Sequence, residues 1–308
     1  MARIAVYTER YTIRRANELT ALTNFRIAAN KLGHQLDFIF RPEVQSIPQY
    51  DAVFIRALTD PLNMSFVAAR LAELHGIRSI DDANSILICC DKVSMYQHLQ
   101  RAGVPMPETR FLDAHEVTIE NAHELFEAMG TPLVLKAPNS SFSAYVDRVS
   151  DAESFVKVGK RFLRRADRVV VQQYIPSTFD WRVTTLTGEV LFVCKYVMPA
   201  KHWKIQSMEE GRTVYATVVS VTPAAVEPRL IEVAQSAARA VGDGLYGIDV
   251  KQVGDEYFVI EVNDNPNIDA GEEDRSNPEV YACIINHLVG APWESLWSKR
   301  RENPSLAV

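Results

Sequence analysis

The 308-residue chain is poor in the features that mark several protein classes. Its four cysteines (Cys89, Cys90, Cys194, Cys283) show neither paired metal-ligand spacing nor a disulfide framework. Adjacent Cys89 and Cys90 read as small buried hydrophobes. No apolar run approaches the roughly 20 residues needed to cross a bilayer. The opening Met1-Ala-Arg-Ile-Ala-Val-Tyr reads as a strand, without the long apolar core of a secretory leader. Positive charge is not in excess: 33 Lys and Arg against 39 Asp and Glu leave a net charge of −6. Affinity for nucleic acid needs the opposite balance. The basic stretch from Lys157 to Arg168 alternates with apolar residues, as the wet face of a helix does. Histidines lack ligand spacing, and no glycine-rich phosphate loop follows the first strand. These absences describe a soluble, cytoplasmic protein with no membrane or nucleic-acid partner. At 47% hydrophobic residues the chain can form two or three packed domains.

Strand and helix patterns alternate over residues 1–85, which predicts a small parallel α/β unit. Beyond it, Asp91 caps a helix running to about Arg101 and stopped by Gly103. Helical patterns follow at 121–129, 151–165, 228–241 and 278–288. Apolar strands lie at 132–137 and 169–174, a hairpin spans 181–198 with its turn at Thr187-Gly188, and a strand covers 214–221. That order predicts an α+β region with antiparallel hairpins.

The most informative stretch is Tyr246-Gly-Ile-Asp-Val-Lys-Gln-Val-Gly-Asp-Glu-Tyr-Phe-Val-Ile-Glu-Val-Asn263, two strands about a Gly254-Asp255-Glu256 loop. A three-residue loop sets Asp249 opposite Glu261, with Asn263 on the same face. Ile248, Val250, Phe258, Ile260 and Val262 then share the apolar face. Three oxygen donors in one patch suit a hard divalent cation such as magnesium; taken alone, the hairpin fits a solvated polar face equally well.

Lysines and an arginine stand elsewhere in telling places. Lys92 lies in the first turn of its helix, where a cation opposes the helix dipole and a phosphate would be welcome, although an isolated surface lysine reads the same way. Lys136 ends the apolar strand Pro132-Leu-Val-Leu and must reach water or an anion. The hydroxyl-rich loop Asn139-Ser-Ser-Phe-Ser-Ala-Tyr145 follows it and can donate N–H groups to phosphates. On the 181–198 hairpin, Asp180, Arg182 and Thr184 share a face opposite Phe179, Trp181 and Val183. An inward arginine there clamps a carboxylate or phosphate; an outward one forms a surface pair with Asp180.

In order, Asp91-Lys92, Gly103-Val-Pro-Met-Pro-Glu-Thr109, Pro132-Leu-Val-Leu-Lys136, Val171-Gln-Gln-Tyr-Ile175, Asp180-Trp-Arg182, Lys195, Gly247-Ile-Asp249 and Ile260-Glu-Val-Asn263-Asp-Asn-Pro266 resemble the motifs of the ATP-grasp fold. Within it they are most similar to the RimK-like and glutathione-synthetase-like carboxylate–amine ligases, over roughly residues 86–290. The resemblance implies an N-terminal pre-ATP-grasp domain (1–85), a small lid lobe with its linker helix (86–172) and a large lobe carrying the metal site (173–308). It implies that Lys92, Lys136 and the loop holding Ser140, Ser141 and Ser143 bind the phosphates of ATP. Gln172, Gln173, Tyr174 and Ile175 would meet adenine and Asp180 the ribose. Asp249, Glu261 and Asn263 would hold two magnesium ions, with manganese as a substitute, while Arg182 and Lys195 would steady the reacting groups. The implied reaction joins an amine to a carboxylate through an acyl phosphate, releasing ADP and phosphate. Its substrates would be an amino acid, a peptide or a protein terminus, and the assembly a homo-oligomer, most simply a dimer. A non-catalytic ATP-binding module and a D-alanine–D-alanine-type ligase are the alternatives. The chain departs from the family pattern in its glycine-free 139–144 loop and in Gln173, which stands in the hinge's acidic place. Lys204 and Gln206 stand where the family carries Arg and Asn.

Overall fold

In the computed structural model, described for residues 1–139, 145–199, 202–209 and 212–302, the chain builds three main sheets. The first is parallel, in the order β2-β1-β3-β4. It comprises β1 (Arg3–Thr8), α1 (Ala16–Lys31), β2 (Gln35–Ile39), β3 (Ala52–Arg56), α2 (Met64–Leu74) and β4 (Arg78–Ile80). Its strands read as near-continuous apolar runs because both faces are covered. One face packs on α2; the other shares a core with the C-terminal part of the chain through Phe25, Phe54 and Tyr281.

Two helices follow, α3 (Ala83–Cys89), absent from the sequence reading, and α4 (Lys92–Arg101), whose Asp91 side chain accepts from the Val93 N–H. The second sheet, β5-β8-β6-β7, is antiparallel and built from β5 (Thr109–Leu112), α5 (Ile119–Met129), β6 (Leu133–Lys136), β7 (Val146–Val149), α6 (Ala152–Phe162) and β8 (Val169–Gln173). Helices α5 and α6 cover one face through Leu133, Leu135, Val169 and Val171. Strand alternation therefore turns Lys136 and Gln172 to the other face, beside Val170, which joins the core formed by α4.

The third sheet, β13-β10-β9-β14-β15, comprises β9 (Phe179–Leu186), β10 (Glu189–Val197), β13 (Thr217–Val221), β14 (Leu245–Val253) and β15 (Glu256–Asn263). A small pair, β11 (Gln206–Glu209) and β12 (Arg212–Tyr215), precedes β13, so the single strand read over 214–221 is two. Helix α7 (Pro228–Val241) packs with α4 on the face carrying Trp181, Val183, Ile248 and Val262. Helices α8 (Val280–Leu288) and α9 (Leu296–Glu302) close the chain.

The β14–β15 register sets Asp249 opposite Glu261, as read from the sequence, by a different route. The turn is tighter, with Val253 paired to Glu256, and a bulge between Asp249 and Val250 restores the pairing. The buried residues of β15 are consequently Tyr257, Val259 and Val262; Phe258 and Ile260, expected inward, are only partly covered.

Candidate active site

Four cations and three carboxylates gather where the second and third sheets meet the start of α4. Lys92, only 5% exposed, extends its Nζ to 2.7 Å from Glu261 Oε1. Its backbone N–H donates to the Pro138 carbonyl, tying the helix to the strand that carries Lys136. Burial acts to raise the Glu261 carboxyl, but Lys92, with Lys136 and Arg182 behind it, outweighs that and holds it below the usual carboxylate range.

Lys136 is buried against two neutral oxygens: Nζ donates to Tyr96 Oη at 2.6 Å and to Gln172 Oε1 at 2.7 Å. Gln172 in turn donates to Thr109 Oγ1, which fixes its amide. Tyr96 donates its proton to the carbonyl of Ile260, the residue at the bulge. Burial outweighs the opposing pull of the Glu261 carboxylate and, aided by the ammoniums of Lys92 and Lys251, pushes Lys136 down to about 7. A cation so placed calls for an anion that these residues do not supply.

On the third sheet, Arg182 and Asp249 are cross-strand partners. The guanidinium donates through Nε (2.6 Å) and a terminal nitrogen (2.8 Å) to the two carboxylate oxygens. Asn263 Nδ2 lies 3.3 Å from the same carboxylate. The three expected metal-binding side chains thus share one face, two carboxylates and an amide, a donor set that fits magnesium. Among the described residues, the tightest groups of three acidic or histidine side chains are elsewhere, at Asp113, His115 and Glu116 and at Asp269, Glu272 and Glu273. Asp180, on the same face as Arg182, pairs with Lys251 at 2.5 Å; burial pushes its carboxyl up to about 6 while the ammonium pulls against it.

Other expectations fare differently. Lys195 pairs with Trp181 across β10 and β9, and its ammonium sits 4.4–4.5 Å from the Trp181 and Phe179 ring centres. That is the face opposite Arg182, since alternation allows neighbouring positions no other outcome; the structure does not bring Lys195 to the cluster. Lys204 turns to the second sheet and donates to the Val146 carbonyl. Tyr174 packs edge-on to Trp203 beneath Arg148, Gln173 donates its backbone N–H to Glu108, and Ile175 is buried. Ser140, Ser141 and Ser143, and the side chain of Gln206, lie outside the described residues. Tyr96 and Lys251 were missed by sequence reasoning. The parity of Lys251 with Asp249 on one strand was the available signal.

Residues 89–286 match the RimK-like ATP-grasp domain. The chain belongs to the RimK-like ATP-grasp family. Curated relatives include the "Probable alpha-L-glutamate ligase 2" of Pseudoalteromonas atlantica, 25% identical over 89% of this chain and 93% of its own. A glutamate–LysW ligase of Sulfolobus acidocaldarius is 24% identical over 75% and 83%. Among solved structures, the D-alanine–D-alanine ligase of Bacillus anthracis superposes with a TM-score of 0.71 at 16% identity, covering 99% of this chain and 100% of that one. A RimK-domain ATP-grasp protein of Sphaerobacter thermophilus gives 0.64 at 20% identity, covering 92% and 98%. This ATP-grasp protein is an ATP-dependent ligase that forms a carbon–nitrogen bond. Among its described residues no helix is long and apolar enough to cross a membrane.

Proposed function

We propose that this ATP-grasp ligase joins glutamate to an amino acid, a peptide or a protein terminus. The observation that carries the reading is the buried Lys136, whose direct partners are both neutral, beside carboxylates already matched by Lys92 and Arg182. Such a cluster accepts a polyphosphate. Lys92 and Lys136 bind the phosphates of ATP, Gln172 to Ile175 line the adenine, and Asp180 takes the ribose hydroxyls. Asp249, Glu261 and Asn263 would hold magnesium, which supplies charge neutralisation and alignment for phosphoryl transfer.

A carboxylate oxygen of the acid attacks the γ-phosphorus, the bond to the β-phosphate oxygen breaks, and ADP leaves. The amine nitrogen then attacks the acyl carbon, phosphate departs with the electron pair of the broken C–O bond, and the proton lost by the nitrogen passes to the leaving phosphate or to solvent. Arg182, held flat by both oxygens of Asp249, offers its remaining N–H groups to the phosphoryl oxygens at both stages. The relatives' names supply glutamate as the first substrate to try. We place the protein in the cytoplasm and expect a dimer, which light scattering would check.

The test is ADP release with glutamate and a panel of amines, amino acids and short peptides, with products identified by mass. Glutamate- and amine-dependent release with a new amide mass supports the reading. ATP binding without amine-dependent turnover would mark a nucleotide-binding module instead.

A further inference from the structure

A lysine buried to 8% exposure needs an anion, and Lys251 has Asp180. Replacing such a buried pair by apolar residues of similar volume is often neutral or stabilising, so packing alone gives little reason for it. Its position is more telling. Lys251 follows Asp249 by two residues on β14, so both point to one face with Cα atoms about 7 Å apart. Asp180, its partner, stands two residues before Arg182 on β9. Lys251 therefore lies across from the residue placed at the ribose and two positions along its own strand from Asp249, placed at the metal. It is also close enough to Lys136 to help drive off that proton, together with Lys92. Three ammoniums from α4, β6 and β14 thus stand near enough to act on one another. With Arg182 they outnumber the carboxylates Asp180, Asp249 and Glu261.

We infer that Lys251 is a third phosphate-binding lysine of the nucleotide site, parked on Asp180 until ATP arrives. When the ribose hydroxyls take the Asp180 carboxylate, the freed ammonium swings to the α-phosphate. One carboxylate thereby serves two partners in turn, first the ammonium and then the hydroxyl groups, which satisfy it by hydrogen bonds while the ammonium meets the phosphate. The assignment rests on the proposed ATP site and adds to it a residue whose role depends on the phosphate rather than on the base.

The experiment compares ATP and adenosine binding, by calorimetry and competition, in the full chain with Lys251→Met, Asp180→Asn and the double variant. Methionine keeps the volume, and thermal melts verify folding. In the Asp180→Asn background, where no carboxylate needs neutralising, Lys251→Met is expected to weaken ATP at least tenfold and leave adenosine within about twofold. Lys251→Arg in that background should recover most of the ATP affinity. An equal effect on both ligands, or none once Asp180 is neutral, shows that Lys251 serves only its carboxylate and overturns the inference. If the unaltered protein binds no ATP, the ligase reading falls and takes the inference with it; normal wild-type binding with no lysine effect removes the inference alone.

Discussion

Lys136 is the residue most sensitive to its surroundings. Burial holds its ammonium near 7, and a phosphate beside it would draw the proton back, so ATP binding takes up a proton above that pH. Below about 7 the free protein is already charged and affinity is flat; above it, affinity falls by up to about tenfold per pH unit. Calorimetry at pH 8 in buffers of different ionisation enthalpy will read the uptake, and heats independent of buffer would contradict the role. The two carboxylates divide by burial. Glu261→Gln takes the carboxylate away from the buried Lys92, so magnesium-dependent ADP release should drop at least a hundredfold with a lowered melting point, the stability loss being smaller than at Asp249 because Glu261 itself is one-third exposed. Asp249→Asn strands a buried guanidinium and should cost about 3–5 kcal/mol as well, visible in urea denaturation. Both carboxylates were legible in the sequence because oxygen-bearing residues at alternate positions declare a face. Lys195 was placed on the wrong face because a lone lysine on a strand carries no sign of which side its neighbours bury, whereas Lys251 shares the parity of Asp249 on β14 and that signal went unused.

The bulge on β15 is the element that assembles the site. Its Ile260 carbonyl accepts from Tyr96, which holds Lys136, so one irregularity in a strand positions a side chain on another sheet. Opposite, Gly247 on β14 is needed for space: a Cβ there would lie 2.7 Å from Pro266 Cβ and 3.1 Å from Arg182 Cδ. Gly247→Ala should cost about 1–3 kcal/mol by overpacking. Because Arg182 cannot yield without loosening Asp249, kcat should fall severalfold with the KM for ATP little changed; an alanine variant of normal turnover would show that the contact relaxes freely. Most strands and helices follow from periodicity, including α4 with its Asp91 cap and the Thr187-Gly188 turn. What periodicity hides is a one-residue insertion. The turn at Gly254 is one residue shorter than read, the bulge adds one back, and the two offsets cancel at Asp249.

Across the whole molecule, the parallel unit reaches into the site through Arg56 at the end of β3. Its guanidinium donates to Asn265 Oδ1 (2.7 Å) and the Pro266 carbonyl (2.9 Å), and Asn265 Nδ2 returns a bond to the Ala57 carbonyl. This reciprocal clamp fixes the turn that follows the metal-side Asn263. Arg56→Ala should lower turnover while ATP affinity, which the proposed site assigns to the other two sheets, stays within about twofold; a parallel loss of both would assign the clamp to general stability. Nothing in the sequence pairs residues 56 and 265, since their contact depends on how the units dock. Within the cluster, every carboxylate stands in the grip of a basic side chain from a different element. At the proposed metal site a bare divalent ion would have to evict an arginine or a lysine to gain a ligand, whereas one that arrives already chelated would bring phosphates to receive the displaced partner. On the proposed assignment, the resting enzyme would thereby be guarded against idle metal, and loading would be an exchange of salt partners in which ion and nucleotide enter together.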